Sequence, residues 1–149
     1  MQQNALNGMT AKDYEKGREL FKQNGRGNGL DQVQARQNYE KDLADSKFEA
    51  NLETMDPISA RKKANQDSKD IMSTMAALHN PDQISAGIMS DAPMDMGLKN
   101  VNSSIGSGWG NKAAGESLSR VDSIDNAVKD VDPNLKDATK LNVKLERCK

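Results

Sequence analysis

The sequence predicts a mainly α protein: a compact single domain of four to six helices, with one long Gly/Ser/Asn-rich loop and at most a small β element near the C terminus. Three observations lead to this fold class. The 149 residues are one domain's worth of chain. Helix-capping residues stand at Thr10, Asp56 and Asp132. Apolar and polar residues alternate strictly, as in a half-buried strand, only around residues 141–147.

The N-terminal part predicts a lead-in and one short helix. Residues 1–9 are expected to be disordered, or a cut point inside a longer protein, because their polar side chains offer little to pack; the domain itself is predicted over 10–149. A helix is expected over 10–23, where a hydroxyl precedes a carboxylate by three residues in a variant of the capping box. The glycine-rich segment 24–29 should end it. A plain linker is the default interpretation of that segment, and an anion site using Arg26 is the alternative.

The middle of the chain predicts two long helices. Helix formers and a broad apolar face favour the first over 31–54. Asp56 then offers a capping carboxylate, with Pro57 at the first helical position, where a missing N–H costs nothing. The second helix is expected to end near His79, because the residue before Pro81 is disfavoured in the α region.

The C-terminal part combines a loop with shorter elements. Residues 80–115 are rich in Gly, Ser, Asn and Asp and predict a long loop, ordered where Trp109 packs on the core. Apolar residues at helical spacing predict a helix over 116–130, and the cap signal at Asp132 predicts a last short helix. The alternating pattern over 141–147 favours a strand.

Composition excludes several function classes. Twenty-one basic and twenty-two acidic residues give a net charge of −1, so no global charge excess argues for a polyanion partner, although a local basic cleft stays open. One cysteine excludes a disulfide framework or a thiolate cluster, and one histidine excludes two-histidine acid/base pairs, His-rich zinc sites and the HExxH helix. The sequence has neither a long apolar run nor the pattern of a signal peptide, so no membrane insertion by this segment is expected.

The strongest candidate for chemistry is the pair formed by His79 and Asp82, an HxxD pattern with a rigid proline between its members. An imidazole and a carboxylate three residues apart suit a metal-dependent hydrolase, in which one group activates water and the other holds a cation or orients the imidazole. The alternative is structural, since a histidine at a helix end and an aspartate before a turn often act only as caps.

Two weaker candidates involve phosphate binding. The loop at Asn102, Ser103 and Ser104 could donate amide, hydroxyl and backbone hydrogen bonds to a phosphate, although local turns are the simpler interpretation. The basic run containing Arg61 and Lys62 could form a phosphate-binding edge, against a solvated helix face as the default.

Four segments together carry a resemblance to a known family. They are DYEKGRELFKQNGRGNGLDQVQARQNYEKDL, ALHNPDQISAG, VNSSIGSGW and the closing LNVKLERCK. Their combination resembles the bacterial polymorphic-toxin domain called novel toxin family fifteen, from Thr10 to Lys149. The resemblance implies an HxxD nuclease, chiefly DNA-degrading, with the motif at His79 and Asp82. The site is extended with less support to Gln83 and to the residues Asn102, Ser103 and Ser104.

The resemblance also implies a biological setting. Members are C-terminal domains of larger effectors, often delivered by type VI secretion, so we expect delivery domains in the parent effector and action in the cytoplasm of a target bacterium. In the producing cell a cognate immunity protein is expected to neutralise the domain. We place its docking area on the stretch from Gly87 to Gly110.

The expected mechanism is hydrolysis of a DNA phosphodiester. His79 would act as general base on water, and Asp82 would help to hold a divalent cation, expected to be Mg²⁺. The general acid would be a water on the cation or another side chain. Contacts to phosphate would make cleavage largely independent of sequence. The predicted substrate-binding residues are Gln83, Asn102, Ser103, Ser104, Arg61 and Lys62. The alternatives are an RNA-directed nuclease and a helical interaction module without catalysis.

Overall fold

The structure is a computed structural model that describes residues 1–26, 29–87 and 94–146. Its elements are α1 (Gln2–Gly8), α2 (Ala11–Asn24), α3 (Leu30–Leu52), α4 (Pro57–Thr74), β1 (Met75–Leu78), a 3-10 helix (Gln83–Ser85), β2 (Asp95–Leu98), α5 (Lys99–Gly110) and α6 (Arg120–Lys129). The mainly α prediction is confirmed. None of the helices in these ranges combines the length and the apolar character that a bilayer crossing requires.

The chain forms two compact units. Unit 1 comprises Met1–Asn28, His79–Pro93 and Ser103–Lys149, and unit 2 comprises Gly29–Leu78 and Met94–Asn102. Unit 1 therefore contains the HxxD pair and both ends of the chain.

The prediction of a disordered lead-in over residues 1–9 is wrong, because α1 is part of the core of unit 1. Leu6 is fully buried and packs with Tyr14 and Trp109. The polar side chains of α1 are also used: Asn7 donates to the carbonyl of Val143 at 3.1 Å and accepts from its N–H at 2.7 Å. Polar residues dock here by bonding to backbone groups, which the apolar pattern of the sequence does not reveal.

Helix α2 begins and ends as predicted. Thr10 Oγ1 accepts from the backbone N–H of Asp13 at 3.1 Å, and the Asp13 carboxylate accepts from the backbone N–H of Thr10 at 3.2 Å, so the capping box is complete. The helix ends at Asn24 and is followed by Gly25, whose φ of +62° favours glycine. Segment 24–29, interpreted as a linker with an anion site as the alternative, includes residues 27 and 28, which lie outside the described residues.

The C-terminal part of unit 1 departs from the prediction at three points. Helix α6 begins at Arg120 and not at 116, because Ser119 caps it by accepting from the N–H of Asp122. Asp132 starts consecutive turns and no helix. Residues 141–146 form no strand, and their N–H groups at Val143 and Leu145 donate instead to side chains of α1.

In unit 2, α3 and α4 pack along their lengths through small side chains. Alanines at 44, 60 and 64 are buried and let the helices approach closely. Asp56 Oδ1 accepts from the backbone N–H groups of Ile58 and Ser59 at 3.0 and 3.1 Å, with Pro57 at the first helical position. This cap confirms the predicted helix start.

The predicted end of α4 near His79 is wrong. The helix ends at Thr74, and Met75–Leu78 instead forms strand β1, paired antiparallel with β2 from Met75↔Leu98 to Leu78↔Asp95. The guanidinium of Arg36 donates to the carbonyls of Met72 and Met75, which satisfies carbonyl groups left open where the helix ends. His79 thus follows a strand and not a helix, and the small β element lies here and not near the C terminus.

The predicted loop over residues 80–115 is also largely wrong, since it contains β2 and α5. Val101, Ile105 and Trp109 stand four residues apart, which is a helical spacing, and Trp109 is buried. The sequence predicted a loop here because the many glycines and serines between these apolar residues are typical of loops. Residues 88–93 of the predicted loop lie outside the described residues.

Candidate functional site

The HxxD pair lies on one tight turn of unit 1 that leads into the 3-10 helix. Asp82 is 4% exposed and caps that helix: its Oδ1 accepts from the N–H of Ile84 at 3.0 Å. Its carbonyl accepts from the N–H groups of Ser85 and Gly87 at 2.9 and 3.1 Å. A Cβ on Gly87 would lie 1.9 Å from the carbonyl oxygen of Pro81, so only glycine fits at the end of this turn. The backbone and one carboxylate oxygen of Asp82 are therefore held in place.

Gln2 of α1 clamps the same turn. Its Nε2 donates to the carbonyl of His79 at 3.0 Å, and its Oε1 accepts from the N–H of Asp82 at 2.6 Å. One amide side chain thereby bonds to the backbone at both residues of the motif. This arrangement fixes the spacing of His79 and Asp82 from outside the turn.

The imidazole of His79 is partly buried and faces the amide of Gln83. The distance from His79 Nε2 to Gln83 Nε2 is 3.2 Å. An amide nitrogen only donates, so with the amide in this orientation the ring nitrogen Nε2 is placed to accept. Gln83 is 8% exposed, and its Oε1 is buried with no hydrogen-bond partner among the residues that the structure describes. Gln83 thus both orients the imidazole and presents an unused acceptor oxygen.

Asp82 also forms an ion pair with Arg26, which follows the end of α2. Arg26 Nη2 lies 3.4 Å from Asp82 Oδ1, and the side chains are 53% and 6% exposed respectively. A Cβ on Gly106 of α5 would lie 3.0 Å from Arg26 Nη2 and 3.4 Å from Asp82 Oδ2. The helix therefore passes close to the pair at a residue without a side chain.

A charged network supports the other side of the turn. Arg18 of α2 donates to both carboxylate oxygens of Asp125 at 2.8 and 2.9 Å, and to the carbonyl of Ile84 at 2.6 Å. Burial alone would raise the pKa of Asp125, but hydrogen bonds from Arg18 and Lys22 and the Arg18 charge outweigh it, so the pKa lies below its ordinary value. Burial, and then the Asp125 charge, raise the pKa of Tyr14, which donates to that carboxylate at 3.0 Å.

The structure brings together only some of the predicted site residues. His79, Asp82 and Gln83 share one turn. Ser103 and Ser104 are exposed on the part of α5 that belongs to unit 1. The other three predicted residues, Asn102, Arg61 and Lys62, belong to unit 2.

Within unit 2, Arg61 is already engaged. It donates to Asp45 at 2.7 Å and lies over the ring of Phe48 at 3.8 Å, while Lys62 is exposed. The substrate-binding roles of Arg61 and Lys62, like those of the α5 residues, stay predictions.

The turn carries two groups whose oxygen atoms are of the type that a hard divalent cation takes as ligands. They are the Asp82 carboxylate and the unused amide oxygen of Gln83, which are oxygen ligands of the kind Mg²⁺ prefers. Among the described residues, no group of three or more His, Cys, Asp or Glu side chains is placed to hold a metal ion. Few protein ligands suffice for Mg²⁺, which keeps several waters and binds through one or two carboxylates plus substrate phosphates.

Sequence reasoning missed four residues that shape this turn: Gln2, Arg18, Arg26 and Gly106. Gln2 and Arg18 act on backbone groups, for which no side-chain pattern exists. The glycine-rich segment did draw attention to Arg26, but as part of an anion loop and not as the partner of Asp82. Gly106 carried a signal in retrospect, because a glycine inside an apolar helical repeat usually has a packing reason.

The chain is similar to a family of toxin domains over nearly its whole length. The family model described as Novel toxin 15 matches residues 1–146. The chain is a member of this family. The match includes α1, which the sequence analysis had left outside the domain. No curated protein matches the chain.

Proposed function

We propose that this toxin domain hydrolyses phosphodiester bonds of DNA, with a divalent cation, at the turn that carries His79 and Asp82. The observation that supports this most is the double clamp of that turn by Gln2, at 3.0 and 2.6 Å. The cap by Asp82 would be sufficient if the turn had only a structural role. A second set of bonds that fixes both motif residues is typical of a site that must be preorganised.

His79 is the general base in this proposal. Gln83 Nε2, which can only donate, lies 3.2 Å from His79 Nε2, so this ring nitrogen is placed to act as an acceptor. When a water displaces the Gln83 amide, Nε2 takes its proton, and the hydroxide oxygen bonds to phosphorus while the bond to the leaving oxygen breaks. A single histidine cannot supply both proton transfers, so another group protonates the leaving oxygen.

Asp82 and Gln83 Oε1 would hold the cation. When bound, such a cation neutralises charge that develops on the phosphodiester. Asp82 is suited to this because its position is fixed by its own cap and by Gln2, so that little reorganisation is needed. Contacts of this kind are made to phosphate and carry no base information, which favours cleavage largely independent of sequence.

The runner-up from another class is an interaction module without catalysis. This candidate is supported by two structural roles of Asp82, which caps the 3-10 helix and forms an ion pair with Arg26. An RNA-directed nuclease is the third candidate, since the same phosphate chemistry applies to both nucleic acids.

Incubation of the purified domain with supercoiled plasmid and with total RNA separates these candidates. We expect plasmid degradation with Mg²⁺, its loss with a chelator, and its return when Mg²⁺ is added in excess. Faster degradation of RNA than of plasmid would favour the third candidate. Intact plasmid and intact RNA in the presence of Mg²⁺ would refute the nuclease proposal.

The setting proposed with this activity is delivery by a larger secreted effector into the cytoplasm of a target bacterium, with an immunity protein bound in the producer. The proposed docking stretch from Gly87 to Gly110 includes residues 88–93, outside the described part, and β2 with α5. Hydrogen exchange of the complex tests it. Protection of α5 amides is expected, and no protection anywhere in residues 79–110 would contradict it.

A further inference from the structure

The ion pair of Arg26 and Asp82 joins a half-exposed guanidinium to a buried carboxylate. Asp82 is held by its cap and by Gln2, and its side chain is 6% exposed. Arg26 is 53% exposed, and its Nη2 lies 3.4 Å from Asp82 Oδ1, beyond the usual distance of a charge-assisted hydrogen bond. Because the guanidinium is half exposed, water can take over its hydrogen bonds, whereas the buried carboxylate that it leaves needs another cation beside it.

Gly106 keeps this position open on the α5 side. A methyl group there would lie 3.0 Å from Arg26 Nη2, tighter than ordinary contact, and 3.4 Å from Asp82 Oδ2. Glycine inside a helix costs about 0.8–1.0 kcal/mol relative to alanine. The helix thus carries an unfavourable residue at the point where the guanidinium approaches the carboxylate.

The chemistry of the two ions suggests exchange. A guanidinium is a planar, permanently charged group whose geometry matches phosphate oxygens. A divalent cation on Asp82 would repel Arg26 from that carboxylate, because two positive charges would then share one anion. A phosphodiester brought to the same turn would offer the released guanidinium a second anion to bind.

We propose that Arg26 has two successive partners: it neutralises Asp82 in the substrate-free domain, and it binds a phosphate oxygen of the nucleic acid once a divalent cation has taken its place. The inference rests on the proposed function, which supplies the cation and the phosphodiester. It predicts effects of opposite sign on removal of Arg26: tighter cation binding and weaker nucleic-acid binding. A side chain with a merely structural role would weaken both.

The test compares Arg26→Gln and Arg26→Lys with the matched control Lys12→Gln. Lys12 is likewise a cation of unit 1 in a surface ion pair, at 2.5 Å from Asp137, so the control removes the same charge elsewhere. Binding of Mn²⁺ to each protein alone is measured by electron paramagnetic resonance. Binding of a fluorescein-labelled 20-base-pair duplex with Mg²⁺ is measured by anisotropy, in a His79→Ala background so that cleavage does not intervene.

For Arg26→Gln we expect Mn²⁺ affinity to rise by about 3-fold or more, and duplex affinity to fall by about 5–10-fold with a salt slope smaller by about one. Arg26→Lys should restore the salt slope but only part of the affinity, because an ammonium cannot bind two oxygens side by side. Unchanged or weaker Mn²⁺ binding, or a loss of duplex affinity no greater than in Lys12→Gln, would overturn the assignment. Neither binding measurement depends on cleavage of the nucleic acid. If the plasmid assay alone fails, the proposed function is refuted, and the Mn²⁺ and duplex affinities still decide whether Arg26 exchanges partners.

Discussion

The clamp by Gln2 makes the sharpest structural prediction. In Gln2→Ala, the carbonyl of His79 and the N–H of Asp82 both lose the side-chain amide that bonds to them at 3.0 and 2.6 Å. Alanine has a higher helix propensity than glutamine, so α1 itself should not weaken. Any loss of stability therefore reports on the turn.

The expected magnitude follows from two hydrogen bonds. Each contributes about 0.5–1.5 kcal/mol net, so the free energy of unfolding should fall by about 1–3 kcal/mol. For a chain of this size that corresponds to a drop in Tm of about 2–12 °C. The matched control is Gln3→Ala, the neighbouring residue of α1. Its side chain accepts one hydrogen bond, from the N–H of Leu145 at 2.9 Å, and does not bond to the turn.

Hydrogen exchange of the Asp82 amide is the decisive assay for this clamp, alongside thermal melts. In Gln2→Ala that amide should exchange about 5-fold or more faster than in wild type, since a loss of about 1–3 kcal/mol of protection corresponds to about 5–150-fold. In Gln3→Ala it should exchange at the wild-type rate. Equal protection of Asp82 in wild type and Gln2→Ala would show that the clamp does not hold the turn.

Two further predictions concern packing and acid stability. Chemical denaturation of Gly17→Ala should show a loss of about 1–3 kcal/mol in the free energy of unfolding, because the added Cβ would lie 2.6 Å from the carbonyl oxygen of Ala86. In the control Gly108→Ala the added Cβ meets nothing within 4 Å, so the free energy of unfolding should rise by about 0.5–1 kcal/mol. Equal effects of the two substitutions would contradict the packing of Gly17 against Ala86. The pKa of Asp125 in the folded state lies below its ordinary 3.8, so its contribution is complete above about pH 4 and is lost as the pH falls through the folded-state pKa. As the pH is lowered below 4, the Tm of the wild type should therefore decrease more than the Tm of Asp125→Asn. Parallel curves of Tm against pH would show that the ion pair of Arg18 and Asp125 does not cause the loss of stability in acid.

Local signals predicted the starts of α2 and α4. The caps at Thr10 and Asp56 depend on residues three positions apart or fewer, and the structure confirms both. The end of α4 could not be predicted in this way, because it depends on Arg36 and on pairing with β2, which are distant in sequence. The mainly α class follows from local pattern, whereas the place of the small sheet follows from long-range contacts.

The candidate site shows the same division. The HxxD motif could be recognised in the sequence, and its two residues do share a turn. The side chains that fix this turn are distant in sequence: Gln2 is 77 residues from His79, and Arg18 is 66 residues from Ile84. Such bonds join side chains to backbone groups, and backbone groups carry no sequence signal. Only the folded chain shows that the polar N terminus is a structural part of the site.

The central claim is that Asp82 acts in chemistry and not only as a cap. Asp56 provides a matched comparison, because its Oδ1 also accepts from the N–H two residues on, at 3.0 Å in both cases. Asparagine keeps that acceptor and removes the charge. Plasmid cleavage with Mg²⁺ should fall by about 10²-fold or more in Asp82→Asn, as expected when several kcal/mol of charge stabilisation are lost, and stay at the wild-type rate in Asp56→Asn. Wild-type cleavage by a folded Asp82→Asn protein would contradict the account.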